Sequence, residues 1–243
     1  MAKQKTKNRR KRRFYKRKGL WIFLLLCMAA GIVGLRVADE KLQPYKEQAA
    51  QIDISTIDDV EIPSMILDHK GREIGRMFVE NRSKVAIEEV PQKLIDALIA
   101  QEDQRFFKHN GVDQIGVARA VWLNLKARAV TQGASTITMQ LARNAFDLKS
   151  RALSLGQSGI ERKIVEAFLA LRIERHLLHG LQADYPDEVE RKAKMKKMVL
   201  EYYLNRIPFG NGYYGVRSAA LGYFGKEPMA LTIEECEIGR AHV

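Results

Sequence analysis

The hydrophobic pattern divides the chain into one long apolar run, two short apolar stretches and a series of segments at helical spacing. Gly19 to Ala38 is apolar apart from Arg36, about the length that crosses a bilayer as a helix. Asp39 to Ile62 is polar and mixed and reads as a stalk with some helix. Ser64–Leu67 and Glu73–Phe78 flank His69-Lys70-Gly71 and predict a small hairpin with Gly71 in the turn. Leu94, Ile95, Leu98 and Ile99 then predict a helix from Pro91 that carries Glu102 at its C-terminal end. Ile115, Val117, Ala118, Val121, Trp122 and Leu125 predict another over 113–129, with Asp113 as N-cap and Trp122 in the core. Gly133 breaks that element, and Ser135 or Thr136 can cap the next. Asp147–Gly159 has no firm period and reads as mobile, or as dipping Leu148, Leu153 and Leu155 into a membrane surface. Ile160–Leu178 is a strong helix and Met195–Leu204 a further one, with a polar excursion, His179–Lys194, between them. A glycine-rich loop, Ile207–Gly215, leads into a short helix through Phe224.

Charge changes this picture in one place. The chain of 243 residues carries a formal charge of +12, yet residues 1–18 hold eleven Lys and Arg and no acid. The remainder is within one charge of neutral, which argues against a folded nucleic-acid-binding domain and puts the excess in a disordered basic tail. A basic segment before an apolar span predicts the N-terminus inside and the rest outside, with Arg36 snorkelling to the outer interface. A cleavable signal peptide is the rival reading, because Ala29-Ala30-Gly31 are small; the run is long for one and no clear cleavage motif follows. The tail can also bind anionic lipid head groups. Cys27 lies in the span and Cys236 near the end, so no disulfide joins them. The five His show no metal-ligand spacing, and His176 and His179 read as a solvated helix end.

Three stretches carry candidate chemistry. Two adjacent carboxylates, Glu102 and Asp103, at a helix C-terminus oppose the dipole there. Either this is an ordinary solvated helix end, or Glu102 is a general base held at a cleft with Phe106 and Phe107 packing below it. On the helix after Gly133, Thr136, Gln140, Arg143 and Asn144 share one face, which suits a phosphate or sugar ligand or is simply the exposed side of an amphipathic helix. On the strong helix, Arg162, Glu166, Ala170 and Glu174 form an i+4 line. Arg162 and Glu166 can be a surface pair, although Ala167 and Ala170 clear space around Glu166 as a ligand-facing carboxylate requires. Lys197, Glu201 and Asn205 align in the same way on the helix after the excursion.

Taken together and in order, these stretches resemble the peptidoglycan glycosyltransferase family, the polymerase domain of class A penicillin-binding proteins and of monofunctional transglycosylases. Glu102, Asp103, Phe106, His109 and Gly111 look like its E-D-x-x-F-x-x-H-x-G signature. Gly133 to Asn144 is similar to G-x-S-T-[IL]-T-Q-Q-L-x-[KR]-N, with Met139 where many members have Gln. Arg162-Lys163-x-x-Glu166 resembles a third signature, and Leu200-Glu201-x-Tyr203-Leu204-Asn205 through Tyr223-Phe224-Gly225-Lys226 a fourth. The resemblance covers residues 64–236, and the excursion at 179–194 is longer than the family leads one to expect.

The resemblance implies a mainly α, lysozyme-like domain behind one N-terminal transmembrane helix, polymerising lipid II at the outer face of the cytoplasmic membrane of a bacterium. It implies that Glu102 is the catalytic base and Glu166 the second essential carboxylate. Ser135, Thr136, Gln140, Arg143, Asn144, Arg162 and Lys163 would hold the donor's diphosphate and sugars, with Asp103, Phe106, His109, Glu201 and Asn205 in support. A divalent cation, Mg2+ or Mn2+, can assist near Glu166; no organic cofactor signature is present. Partners expected are lipid II, the growing glycan strand, membrane lipids and other wall-synthesis proteins, and no nucleic acid. A lysozyme-like lytic enzyme and a catalytically inactive wall-synthesis scaffold are the competing classes. Leu231–Cys236 begins a fifth family stretch, but Glu237–Val243 does not continue it and matches one frame of a sequencing-library adapter. Those seven residues are expected to be non-native, which leaves room for a downstream transpeptidase domain.

Overall fold

A computed structural model describes residues 2–58, 64–70, 73–77, 81–82, 84–129 and 132–236, without the side chains of 2–20, 22, 24, 26, 64–67, 73–77 and 81–82. The chain forms two compact units, residues 1–47 and 48–243. The first lies within helix α1, Ala2–Gln51, so the backbone of the basic tail is helical where disorder was expected. Among the described residues no helix is long and apolar enough to cross a membrane; part of the run 19–38 has side chains outside the description. The stalk is likewise helical to Gln51 and then turns through a 3₁₀ segment at Ser55–Asp58. The expectation for 237–243 falls outside the described residues.

The second unit is built mainly of helices. The hairpin is present: β1, Ser64–Leu67, pairs antiparallel with β2, Glu73–Met77. Gly71 itself lies outside the described residues. A second small sheet pairs β3, Asn81–Arg82, with β4, Tyr213–Tyr214, in parallel. Helix α2, Gln92–Glu102, ends on the carboxylate named above and buries Leu94, Ile95 and Leu98 on one side, as an apolar stripe at this spacing must. Helix α3, Gln114–Ala127, starts at Asp113, whose carboxylate accepts from the Ile115 amide. Ala120 is buried, but the larger apolar side chains of this helix do not enter the core: Trp122 is 69% exposed, and Ile115, Val121 and Leu125 are also exposed.

The core forms around helix α4, Ile137–Ala145, packed against α5, Leu148–Ser154, α6, Gly159–Gly180, and α7, Glu188–Leu204. Ile137, Leu141 and Ala142 meet Val165, Leu169, Ile173, Met195, Val199 and Leu200 in this core, all of them buried. Each fully buried aliphatic side chain there contributes about 1.5–3 kcal/mol. α4 is therefore a central helix and not an exposed amphipathic one. The segment expected to be mobile folds as α5, because Leu148 and Ala152 pack inward while Leu153 and Leu155 stay exposed.

Ser158 and Glu161 start α6 with a reciprocal capping box, and His176 and His179 are solvated near its end. The excursion is shorter than expected. Its second half is the opening of α7, capped by Asp187, whose carboxylate accepts from the Glu190 amide. α8, Val216–Phe224, follows the glycine-rich loop.

Candidate active site

The break after α2 sets the geometry. Asp103 leaves the helix, and its carboxylate, 7% exposed, is held at 2.9 and 3.0 Å by Nε2 of His109. The amide of Ile137 donates to the same carboxylate at 3.1 Å, so Asp103 supplies the negative charge that a helix N-terminus favours, here that of α4. Thr136 caps that helix, accepting from the Met139 amide and donating at 2.6 Å to the Gly111 carbonyl; Ser135 is not the cap. Gly111 has φ +84°, and a Cβ there would sit 2.8 Å from the Ala170 carbonyl carbon and oxygen. The space beside Ala170 thus serves the backbone of the 103–111 segment, not a ligand at Glu166. Phe106 is fully buried in this corner, whereas Phe107 turns out to solvent at 52% exposure and does not pack below Glu102.

Glu102 stands at the wall of a groove of about 430 Å³. Asp103, Ser135, Thr136 and Gln140 line it, together with Gln104, Arg105, Asp113 and Arg119, which were not among the expected site residues. The Gln140 amide donates to Glu102 Oε2 at 2.7 Å, and the Tyr203 hydroxyl donates to the Gln140 carbonyl at 3.1 Å. Burial pushes the Tyr203 phenol well above its usual value, and the nearby Glu102 charge pushes it further, so it remains a donor. Among the described residues Glu102 Oε1 takes no protein hydrogen bond. One Glu102 oxygen is fixed by the protein, and the residue lines the groove.

Glu166, Arg143, Asn144, Arg162 and Lys163 do not line this groove; Arg143, Arg162, Lys163 and Lys149 instead surround the buried Glu166 carboxylate. Glu166 is fully buried and lies 3.1 Å from Arg162 Nε. Neither Glu166 oxygen, nor Arg162 Nε, nor the buried Arg143 Nε has a hydrogen-bond partner among the described residues, so the Arg162 contact is an ion pair without hydrogen-bond geometry. Burial raises the Glu166 pKa, and Arg143, Arg162, Lys163 and Lys149 oppose that rise. Arg143, Asn144 and Arg162 are half-buried and Lys163 is exposed. This donor set does not fit a divalent cation on its own. No cluster of three acidic, His or Cys side chains occurs among the described residues, and the single carboxylate is ringed by positive charge.

Glu201 and Asn205 support the site from outside. Asn205 exchanges two hydrogen bonds of 2.8 Å with the Val85 backbone, and Glu201 accepts from the Ile87 amide, so the end of α7 holds the segment that enters α2. Spacing did not single out Lys196, which is buried and bonded at 2.7 Å to Glu174. Thr138 donates to the same Glu174 oxygen. Lys196 sits in the basic run 192–197, where nothing in the pattern distinguishes it from its solvated neighbours.

Residues 70–238 match the family model described as Transglycosylase. The chain is 39% identical over 188 residues to penicillin-binding protein 1A of Escherichia coli (strain K12), covering 76% of this chain and 19% of that protein. It is 38% identical over 175 residues to penicillin-binding protein 1A of Aquifex aeolicus (strain VF5), covering 72% and 21%. Over 172 residues it is 37% identical to penicillin-binding protein 1F of Bacillus subtilis (strain 168), covering 71% and 21%. The chain spans about a fifth of the length of these curated relatives.

Proposed function

The chain belongs to the transglycosylase family of peptidoglycan glycosyltransferases, and from that premise we propose that it joins lipid II units into β-1,4-linked glycan with release of polyprenyl diphosphate. The observation that carries this reading is Glu102: one oxygen is anchored by Gln140, and the residue lines a groove of about 430 Å³. A sugar 4-hydroxyl is a weak nucleophile, and a positioned carboxylate removes its proton as it attacks the donor's anomeric carbon. The bond from that carbon to the diphosphate oxygen breaks in the same displacement, turning an α-linked donor into a β-linked product. The departing diphosphate needs cations, and Arg143, Arg162 and Lys163 supply them, with Glu166 holding the arginines in place. A hydrolase of finished glycan has no diphosphate to bind, which favours transfer over lysis.

In this reading the helical domain has a lysozyme-like arrangement and the apolar run 19–38 anchors it, N-terminus inside, at the outer face of the cytoplasmic membrane. The exposed apolar residues Ile115, Trp122, Leu125, Leu153 and Leu155 suit contact with the bilayer in which a lipid-linked substrate lies. Other wall-synthesis proteins would be neighbours there. The test is incubation of the purified protein with lipid II, following chain length on gels and the new linkage by NMR. β-Linked polymer is expected. Sugar release from finished glycan without polymerisation would replace this function with lysis.

A further inference from the structure

A buried cation that touches neither groove nor cluster lies below both halves of the Glu102 corner. Lys196 on α7 is 1% exposed, and its ammonium sits 4.4 Å from the centre of the Phe106 ring. The ring belongs to the segment that begins at Asp103, and the Asp103 charge acts on Lys196 through space. The other partner, Glu174 on α6, is bonded to both Lys196 and Thr138, in the first turn of α4. Desolvating a lysine costs several kcal/mol unless it is paired, so this placement is expensive for the core and demands a return. Burial accordingly pushes its pKa down, against the pull of Glu174.

Resting on the function proposed above, we infer that Lys196 is a positioning residue for Glu102. Its charge stabilises the Asp103 carboxylate in a dry corner. That carboxylate holds the Ile137 amide and His109, fixing the end of α2 directly after Glu102. The same hold sets the start of α4, which one turn later presents Gln140 to Glu102. Two routes, along the backbone from Asp103 and through α4, then converge on one oxygen of the base. The Lys196–Glu174 pair is thereby more than a filler of the core.

The test separates the cation from the packing. Glu174→Gln keeps the lysine side chain against Phe106, and Lys196→Met/Glu174→Gln removes it without leaving an unpaired buried acid. With lipid II, Glu174→Gln is expected to stay within threefold of the parent kcat. The double variant is expected to lose at least twentyfold in kcat, with KM changed less than threefold. Adding Asp103→Asn to the double variant should cost no further activity, because both changes break one chain of support. Independently of substrate, hydrogen exchange at the Ile137 amide should accelerate at least tenfold in the double variant and not in Glu174→Gln. Equal kcat in parent and double variant, losses that multiply with Asp103→Asn, or unchanged Ile137 exchange would each overturn the inference. Exchange is read without lipid II, so a failure of the proposed function shows separately, as a parent protein that makes no polymer. Should the double variant lack a cooperative melt, Lys196→Gln/Glu174→Gln carries the same readouts. Failure of both to fold would also overturn the inference, making the pair a requirement of the fold and not of Glu102.

Discussion

Gln140 and Glu102, on different helices and 38 positions apart, meet at 2.7 Å, and the Tyr203 hydroxyl holds the far side of the same amide. The chain Tyr203–Gln140–Glu102 fixes which carboxylate oxygen is bound by the protein. Tyr203→Phe removes the outer support and leaves the Gln140 carbonyl underbonded. It is expected to lower kcat about three- to tenfold with KM little changed, and to cost about 1–3 kcal/mol in urea unfolding. An unchanged kcat would mean that Gln140 needs no second anchor.

Gly111→Ala places a methyl group against the Ala170 backbone at a residue with φ +84°. Strain and overpacking together are expected to cost about 2–5 kcal/mol, seen as a lower midpoint in denaturant melts. A variant as stable as the parent would show that the 103–111 segment does not depend on this contact.

Asn205→Ala strips two hydrogen bonds from the Val85 backbone. With both polar groups of Val85 left unpaired, stability should fall by about 2–4 kcal/mol. Activity per folded molecule should remain near that of the parent, because Asn205 holds the segment before α2 and not the groove. A large loss of kcat without loss of stability would move Asn205 into the site.

Glu166 gives a pH-dependent prediction. Its folded-state pKa is raised by burial, so the folded protein binds its proton more readily than the unfolded chain. The stability from that preference is complete below the unfolded carboxylate value and is lost as pH rises through the raised folded value. Glu166→Gln should therefore melt at a higher temperature than the parent at pH 7, with the gap closing as pH falls towards about 4. The same variant should polymerise far less, since Arg143 and Arg162 lose the charge that arranges them. A gap that widens on acidification would contradict the burial account.

Residues 91–102 and 160–178 were legible as helices because one-sided apolar spacing survives in the fold as a buried stripe. The carboxylate and cation positions were legible mainly through resemblance, since spacing alone left Glu102 and the 136–144 face open. What spacing could not show is which positions of α4 are covered: Thr136 and Gln140 on its polar face are buried while Arg143 and Asn144 are half-buried, an outcome of tertiary structure. Trp122 and Phe107 failed for the converse reason, since a hydrophobic residue in a periodic segment predicts burial only where a neighbour exists to cover it. The expectation of mobility at 147–159 missed α5, whose two inward residues are too few to show a period. Lys196 and Glu174 are bonded across α7 and α6, a contact that no local pattern encodes.

The proton taken by the carboxylate at position 102 is the step on which the proposed transfer turns. Glu102→Gln keeps size and a hydrogen-bonding partner for Gln140 but cannot act as a base, so it tests that step alone. Parent and variant are compared for glycan formed from lipid II at equal folded concentration, with circular dichroism melts confirming the fold. The account predicts a rate at least about a hundredfold lower for the variant, within the range expected for loss of a general base. Equal glycan from both proteins would contradict it.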